Sequence, residues 1–302
     1  MTLLGTARLM DAAEAGGHGT GAFNAVLLEQ LEAVLDGAAR ARAPVVVQVS
    51  ENAVGYRGAL RPLAAAALEA IAATDTPASL HLDHATEPEL IRAAVSCGVA
   101  SVMYDGARLP WGENLATTRE ITDWCHERGV WVEAELGEVG GKDGAHAPGV
   151  RTDPGEAARF VAETGVDALA VAVGSSHAMT ERRAQLDLEL IGALREAVPV
   201  PLVLHGSSGV PDPVLAAAVR AGIRKVNLST HLNSVFTGAV RGVLADRPEL
   251  VDPRRYLGPA REAMAQEVSR ILGVLGAAQS AARVAAPFEA PAAGGSAGKA
   301  AG

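Results

Sequence analysis

Residues 79–106, SLHLDHATEPELIRAAVSCGVASVMYDG, decide the fold. The apolar run Ser79–Leu82 reads as a strand and ends in Asp83-His84. Thr86-Glu87-Pro88 is a helix start, and Glu87–Cys97 has helical length and composition. Gly98 stands where a C-cap glycine belongs, and Ser101–Tyr104 is a second apolar strand ending in Asp105. A strand, a helix and a strand of this length form a βα unit whose strands are buried on both faces, hence parallel.

The same unit repeats along the chain. Eight candidate strands are legible: Thr20–Phe23, Pro44–Val49, Ser79–Leu82, Ser101–Tyr104, Val130–Ala134, Ala168–Val173, Pro201–Leu204 and Arg224–Leu228. Helical segments between them include Val26–Ala41, Leu60–Ala73, Asn114–Arg128, Gly155–Thr164, Asp187–Ala197 and Pro213–Ala221. Asp153-Pro154 is a further helix start, and Gly129, Gly165 and Gly222 precede strands as Gly98 does. The pattern predicts an α/β protein, a (β/α)8 TIM barrel, as one domain over residues 1–285. Extra C-terminal helices are expected at Leu232–Leu244 and Pro259–Leu275. Residues 286–302 are rich in Ala and Gly and are expected to be a disordered tail.

Composition narrows the partners. With 26 Lys and Arg against 35 Asp and Glu the formal charge is −9, which argues against nucleic acid or an anionic membrane. Two cysteines, Cys97 and Cys125, make neither a disulfide framework nor a Cys-rich zinc site. No signal-peptide pattern and no charge-free apolar run of membrane length is seen. A cytoplasmic location is the expectation.

A barrel of this kind works at the C-terminal ends of its strands. All eight ends here are polar: Asn24; Ser50; Asp83-His84; Asp105; Glu133 and Glu135; Gly174 to His177; His205 to Gly209; and Asn227 followed by Ser229-Thr230. His84, His177 and His205 end the third, sixth and seventh strands, and three imidazoles with an open fourth position form a catalytic zinc arrangement. His81, three residues before His84, reads as a barrel-interior residue, and His18, His126, His146 and His231 as ordinary surface residues. The turns Gly206-Ser207-Ser208-Gly209 and Asn227–Thr230 follow the seventh and eighth strands, the usual phosphate site of a barrel. Asp83 is either an orienting group for its neighbour or a general acid/base; Asp105 and Glu135 either bind a second cation or hold the histidines. Glu133 and Glu135 share a strand face and are not separable by pattern. The loop 138–151, EVGGKDGAHAPGVR, reads as a lid or catalytic loop.

Taken together, HLDH at 81–84, VEAELGEVGG at 132–141, VAVGSSH at 171–177, LHGSSG at 204–209 and KVNLST at 225–230 resemble the class II, zinc-dependent ketose-bisphosphate aldolases. AFN at 22–24, QVSENA at 48–53, SVMYDGARLP at 101–110 and DPRRYLGPAREAM at 252–264 continue the likeness over residues 1–280. The resemblance implies that His84, His177 and His205 bind zinc and that Asp83 is the acid/base for the C4 hydroxyl. Asp105 and Glu135 match an alternative or second metal site, for a second divalent or a monovalent cation. Asn24, Ser50, Gly206, Ser207, Ser208, Ser229 and Thr230 are expected at the substrate and its phosphate, and Asn227 at the enediolate. The substrate is then a ketose 1,6-bisphosphate of fructose or tagatose type, cleaved to dihydroxyacetone phosphate and an aldehyde, in a homodimer or homotetramer. A related phosphoketose aldolase, or a catalytically idle sugar-phosphate-binding member, are the alternatives.

Three departures from the family pattern carry expectations of their own. Ala178 follows His177 where the family has Gly. The loop segment Gly140-Gly141-Lys142-Asp143-Gly144 is one residue short, leaving Asp143 as its lone carboxylate for proton transfer. Ser229 and Asn233 replace the Asp and Arg of fructose-bisphosphate members, which leans toward a tagatose-type enzyme, with Arg254, Arg255 or Arg261 as substitutes for the distal contact. A Schiff-base aldolase fits less well: of Lys142, Lys225 and Lys299 only Lys225 is on a strand, short of its C-terminal end.

Overall fold

The computed structural model describes residues 3–136 and 151–285. In chain order it holds α1 (Thr6–Gly16), β1 (Thr20–Asn24), α2 (Leu28–Ala41), β2 (Val45–Ser50), α3 (Glu51–Arg57), α4 (Arg61–Ala72) and β3 (Ala78–Ala85). Then come α5 (Pro88–Ser96), β4 (Ser101–Tyr104), α6 (Trp111–His126), β5 (Trp131–Leu136), α7 (Pro154–Thr164), β6 (Ala168–Val171) and α8 (Leu188–Ala197). β7 (Leu202–Leu204), α9 (Asp212–Ala221), β8 (Ile223–Leu228), α10 (Thr230–Asp246), α11 (Arg254–Val274) and α12 (Ala281–Ala285) complete it. The strands pair in sequence order, all parallel, and β1 pairs with β8, so the sheet closes into a TIM barrel.

The local signals act as the sequence suggests. Asp153 caps α7 by accepting from the Glu156 N–H at 2.9 Å. Gly98, Gly129, Gly165 and Gly222 all have positive φ at the turns that enter strands. The seven-residue α3 directly after Ser50 and the amino-terminal α1 were not legible. The short α3 buries only Ala53, and α1, whose buried stripe is Thr6, Leu9, Met10 and Ala13, acquires its partners only when the barrel closes.

Period-2 alternation divides every strand between two cores. Val45, Val47, Leu80, Leu82, Val102 and Val132 face the helical layer, in the large buried cluster. Ala22, Val46, Trp131, Ala168, Ala170 and Val203 face the barrel axis and meet Leu9 and Met10 of α1, which plugs the N-terminal end. Thr6 of α1 reaches the Ser79 and Ser101 hydroxyls at 2.5 and 2.6 Å. Outside, α11 is tied to α2 by Arg261 with Glu32 and Asp36 at 2.6 and 2.8 Å. Among the described residues no helix is long and apolar enough to cross a membrane. The tail 286–302 lies outside the described residues.

Candidate functional site

Regular alternation would point Asp83 and His84 to opposite faces of β3. The strand avoids this with a bulge. Leu82 pairs with Val102 and Ala85 with Tyr104, so three steps on β3 match two on β4. His84 takes up the extra residue with φ 52°. Such a backbone costs roughly 1–3 kcal/mol outside glycine and persists only where its surroundings enforce it. As a result Asp83 and His84 both line one cavity of about 720 Å³ at the C-terminal mouth of the barrel.

The three strand-end histidines converge beside it: His84 and His177 line the cavity, and His205 is fully buried against them. His84 and His205 ring centres are 4.6 Å apart, His84 and His177 5.0 Å, and His177 and His205 5.8 Å. With Glu135 they form a group whose donor atoms all lie within 4.8 Å of one another. Three imidazoles and a carboxylate, partly buried and brought together by strain, suit zinc or another borderline divalent ion. Asp105 stands behind this group: its Oδ2 is 2.9 Å from His84 Nδ1.

Glu133 and Glu135 separate by depth. Glu135 Oε2 is 2.9 Å from His205 Nδ1, and Glu133 Oε1 is 2.8 Å from His205 Nε2. Burial opposes a charged ring, yet the two carboxylates outweigh it and push the His205 pKa up to about 9. Asp83 is held from both sides, accepting from Asn24 Nδ2 at 2.8 Å and Asn227 Nδ2 at 3.3 Å. Burial pushes the Asp83 pKa up, but the charges of His84, His205 and Lys225 prevail and hold it well below the usual carboxylate range. Asp83 is therefore an ionised base beside the histidine group.

Across the mouth lie the two turns. Gly206 has φ 65°, and a Cβ there would stand 2.6 Å from the Ser176 carbonyl, so only glycine lets the β7 turn approach the His177 loop. Ser208, Ser229 and Thr230 line the cavity with Gly206 and Asn227. The Ser208 hydroxyl also accepts from the His231 N–H at 3.1 Å, serving the exposed start of α10. Ser207 is not on the wall: it is fully buried and its Oγ donates to the Leu204 carbonyl at 3.0 Å. Asn24 and Ser50 are on the wall.

Several other expectations are revised. Asn233 does not line the cavity, because its Oδ1 accepts from Gln30 Nε2 at 2.9 Å. Arg261 is held by α2, and Arg254 by Asp252 at 2.7 Å, so neither lines the cavity of this chain. Arg108, in the turn after β4, does. Its type alone carried no signal, and only barrel closure brings that turn to the mouth. His18 is buried, not a surface residue, whereas His231 meets Glu267 at 2.6 Å and His126 meets Asp167 at 2.8 Å. Ala178, in place of the glycine, adopts φ 57°, the left-handed region that glycine occupies without strain. Asp143, His146 and the rest of the 137–150 loop lie outside the described residues.

The model of the family described as fructose-bisphosphate aldolase class-II matches residues 5–280. The chain belongs to this family. As a class II aldolase it is a carbon–carbon lyase, and its family implies sugar-phosphate substrates and, in general, zinc dependence. Two solved aldolase structures are similar over nearly the whole chain. The YdjI aldolase from Escherichia coli K12 is 31% identical, with 92% of this chain and 100% of that one covered and a TM-score of 0.81. A structure described as a putative fructose-1,6-biphosphate aldolase from Coccidioides immitis is 30% identical, with 91% and 97% covered and a TM-score of 0.81. The fructose-bisphosphate aldolase (Fba) from Campylobacter jejuni shares the aldolase barrel at 21% identity, with 92% and 97% covered and a TM-score of 0.76.

Proposed function

We propose that this aldolase reversibly cleaves a ketose 1,6-bisphosphate of tagatose or fructose type into dihydroxyacetone phosphate and an aldehyde, using zinc. The observation that carries the reading is that ionised Asp83, His84 and His177 line one cavity with the β7 and β8 turns, and that His205 and Glu135 complete the histidine group from the buried side. His84, His177 and His205 hold the ion, with Glu135 beside them. When bound, zinc supplies Lewis-acid stabilisation of the negative charge that develops on the ketose oxygens.

The protein's own residues do the rest. Asp83 takes the C4 hydroxyl proton during cleavage and returns it during condensation. Asn24 and Asn227 hold both oxygens of that carboxylate, so it meets the hydroxyl in one orientation. Gly206, Ser208, Ser229 and Thr230 bind the C1 phosphate through backbone N–H groups and hydroxyls at the start of α10. Fixing the phosphate in this way positions the bond to be broken. Among the described residues, Arg108 is the one Lys or Arg on the cavity wall, and β4 lies across the barrel from β7 and β8. We assign it to the far end of the sugar from its place on that wall. The family's homodimer or homotetramer is the assembly expected, and light scattering measures it.

The deciding experiment offers fructose-1,6-bisphosphate, tagatose-1,6-bisphosphate and their C6-unphosphorylated analogues, and reads dihydroxyacetone phosphate. Release that EDTA abolishes and zinc restores supports the reading and names the sugar. No release from zinc-loaded protein would favour another phosphoketose or an idle member of the family.

A further inference from the structure

Beneath the residues that line the cavity lies a second layer of polar side chains, one alternation deeper in the barrel. Glu133 is two residues before Glu135, Lys225 two before Asn227, and His81 two before Asp83. Glu133, Lys225 and His81 are all fully buried. None of them lines the cavity, so none meets the substrate.

Their bonds join the metal group to the acid/base. Lys225 Nζ donates to Glu133 Oε2 at 2.8 Å and to Asn227 Oδ1 at 2.9 Å. The other Glu133 oxygen is 2.8 Å from His205 Nε2. Asn227 Nδ2 in turn faces Asp83 Oδ1 at 3.3 Å. The path therefore runs His205, Glu133, Lys225, Asn227, Asp83.

Two orientations follow from it. An ammonium only donates, so the Asn227 amide must present its oxygen to Lys225 and its NH2 to Asp83 and the cavity. Carboxylates face both His205 nitrogens, Glu133 at Nε2 and Glu135 at Nδ1. Glu135 belongs to the histidine group and Glu133 does not, so Glu133 is the acceptor that keeps the proton on Nε2 when Nδ1 takes an ion. An apolar pair of similar volume would fill the same space without desolvating two charges, and buried ion pairs often stabilise no more than such a pair does. Packing alone gives no reason for charge at this depth.

We propose that Lys225 and Glu133 are positioning residues that set the amide orientation of Asn227 and the ring tautomer of the metal-binding His205. They act through these two groups and touch neither substrate nor ion.

The test compares the parent with Glu133→Leu/Lys225→Met, which removes both charges together, and with the milder Glu133→Gln. Zinc Kd is measured by competition with a chromophoric chelator, folding by thermal unfolding of the metal-free proteins, and kcat and KM at saturating zinc. The double variant is expected to unfold cooperatively near the parent temperature, and zinc affinity to fall about 10–100-fold. kcat should fall at least about tenfold with KM little changed, since the orientation of Asn227 matters where charge develops. In an Asn227→Ala background the same double substitution should cost little further kcat, because its route to Asp83 is already gone. Whichever variant folds, a zinc Kd equal to the parent value overturns the proposal. So does a kcat loss that multiplies with that of Asn227→Ala, which marks a general structural effect. The kcat arm rests on the function proposed above and the zinc arm does not, so a parent that cleaves none of the sugars leaves the zinc result decisive.

Discussion

His84 Nδ1 and Asp105 Oδ2 are 2.9 Å apart, a contact that joins the bulged end of β3 to the end of β4. It leaves Nε2 as the other nitrogen of the ring, and it holds a side chain whose backbone is already strained. A carboxylate behind an imidazole fixes its tautomer and raises its basicity. Asp105→Ala should therefore weaken zinc binding about 10–100-fold without changing the number of ions per chain. Chelator competition and metal analysis measure the two quantities. A lost second ion with unchanged affinity at the first would make Asp105 a ligand of its own site.

His205→Ala and Asp83→Ala should separate binding from chemistry. His205 is enclosed between two carboxylates, and its removal takes a donor from the group and leaves Glu133 without one partner. That variant should lose both zinc and turnover. Asp83→Ala should keep its zinc and lose about 10²–10⁴-fold in kcat, the usual worth of a positioned acid/base. Zinc content and steady-state rates check both. An Asp83 variant with the parent kcat removes it from proton transfer.

Arg108 faces the mouth from the β4 side, opposite the phosphate turns. If it meets the distal phosphate, Arg108→Ala raises KM for the bisphosphate about tenfold or more and leaves the C6-unphosphorylated analogue nearly unchanged. Equal effects on the two substrates would show that the side chain acts on the mouth in general.

Acid stability should depend on Glu267. Its carboxylate binds Arg270 at 2.7 and 2.8 Å and His231 at 2.6 Å, fastening α11 to the start of α10. Burial raises its pKa, but these partners prevail and bring it down to about 2. The folded value is below the unfolded one, so the contribution is complete above the unfolded value of about 4.3 and is lost as pH falls toward 2. Glu267→Gln should lower stability at neutral pH by about 1–2 kcal/mol and flatten the fall in unfolding free energy between about pH 4.5 and 2. Denaturant unfolding across that range reads it.

The barrel itself was legible because it rests on local rules. Apolar runs such as Ser101–Tyr104 and Ala168–Val171 are strands buried on both faces, and Gly98, Gly129, Gly165 and Gly222 mark the turns between helix and strand. The polar strand ends were legible for the same reason: a side chain at the end of an apolar run in a barrel has one place to go. Hence His84, His177, His205, Asp83 and Asn227 could be named before their geometry was known.

What the tertiary structure decided concerns depth, register and distance across the barrel. Alternation gives the face of a residue but not its height, so Glu133 and Glu135 were indistinguishable until β5 was registered against β6. Lys225 lies short of the C-terminal end of its strand, where a Schiff-base lysine is not expected, and closure of β8 on β7 and β1 puts its ammonium between Glu133 and Asn227. A one-residue bulge turned two neighbours toward one cavity, and Ser207 and Asn233 were drawn away by partners distant from the cavity. The sequence by itself determined which residue types stand at the mouth, since composition and period are properties of the chain. Which of them touch was decided only by the closed sheet, because a hydrogen bond depends on ångström distances between strands that the chain keeps many residues apart.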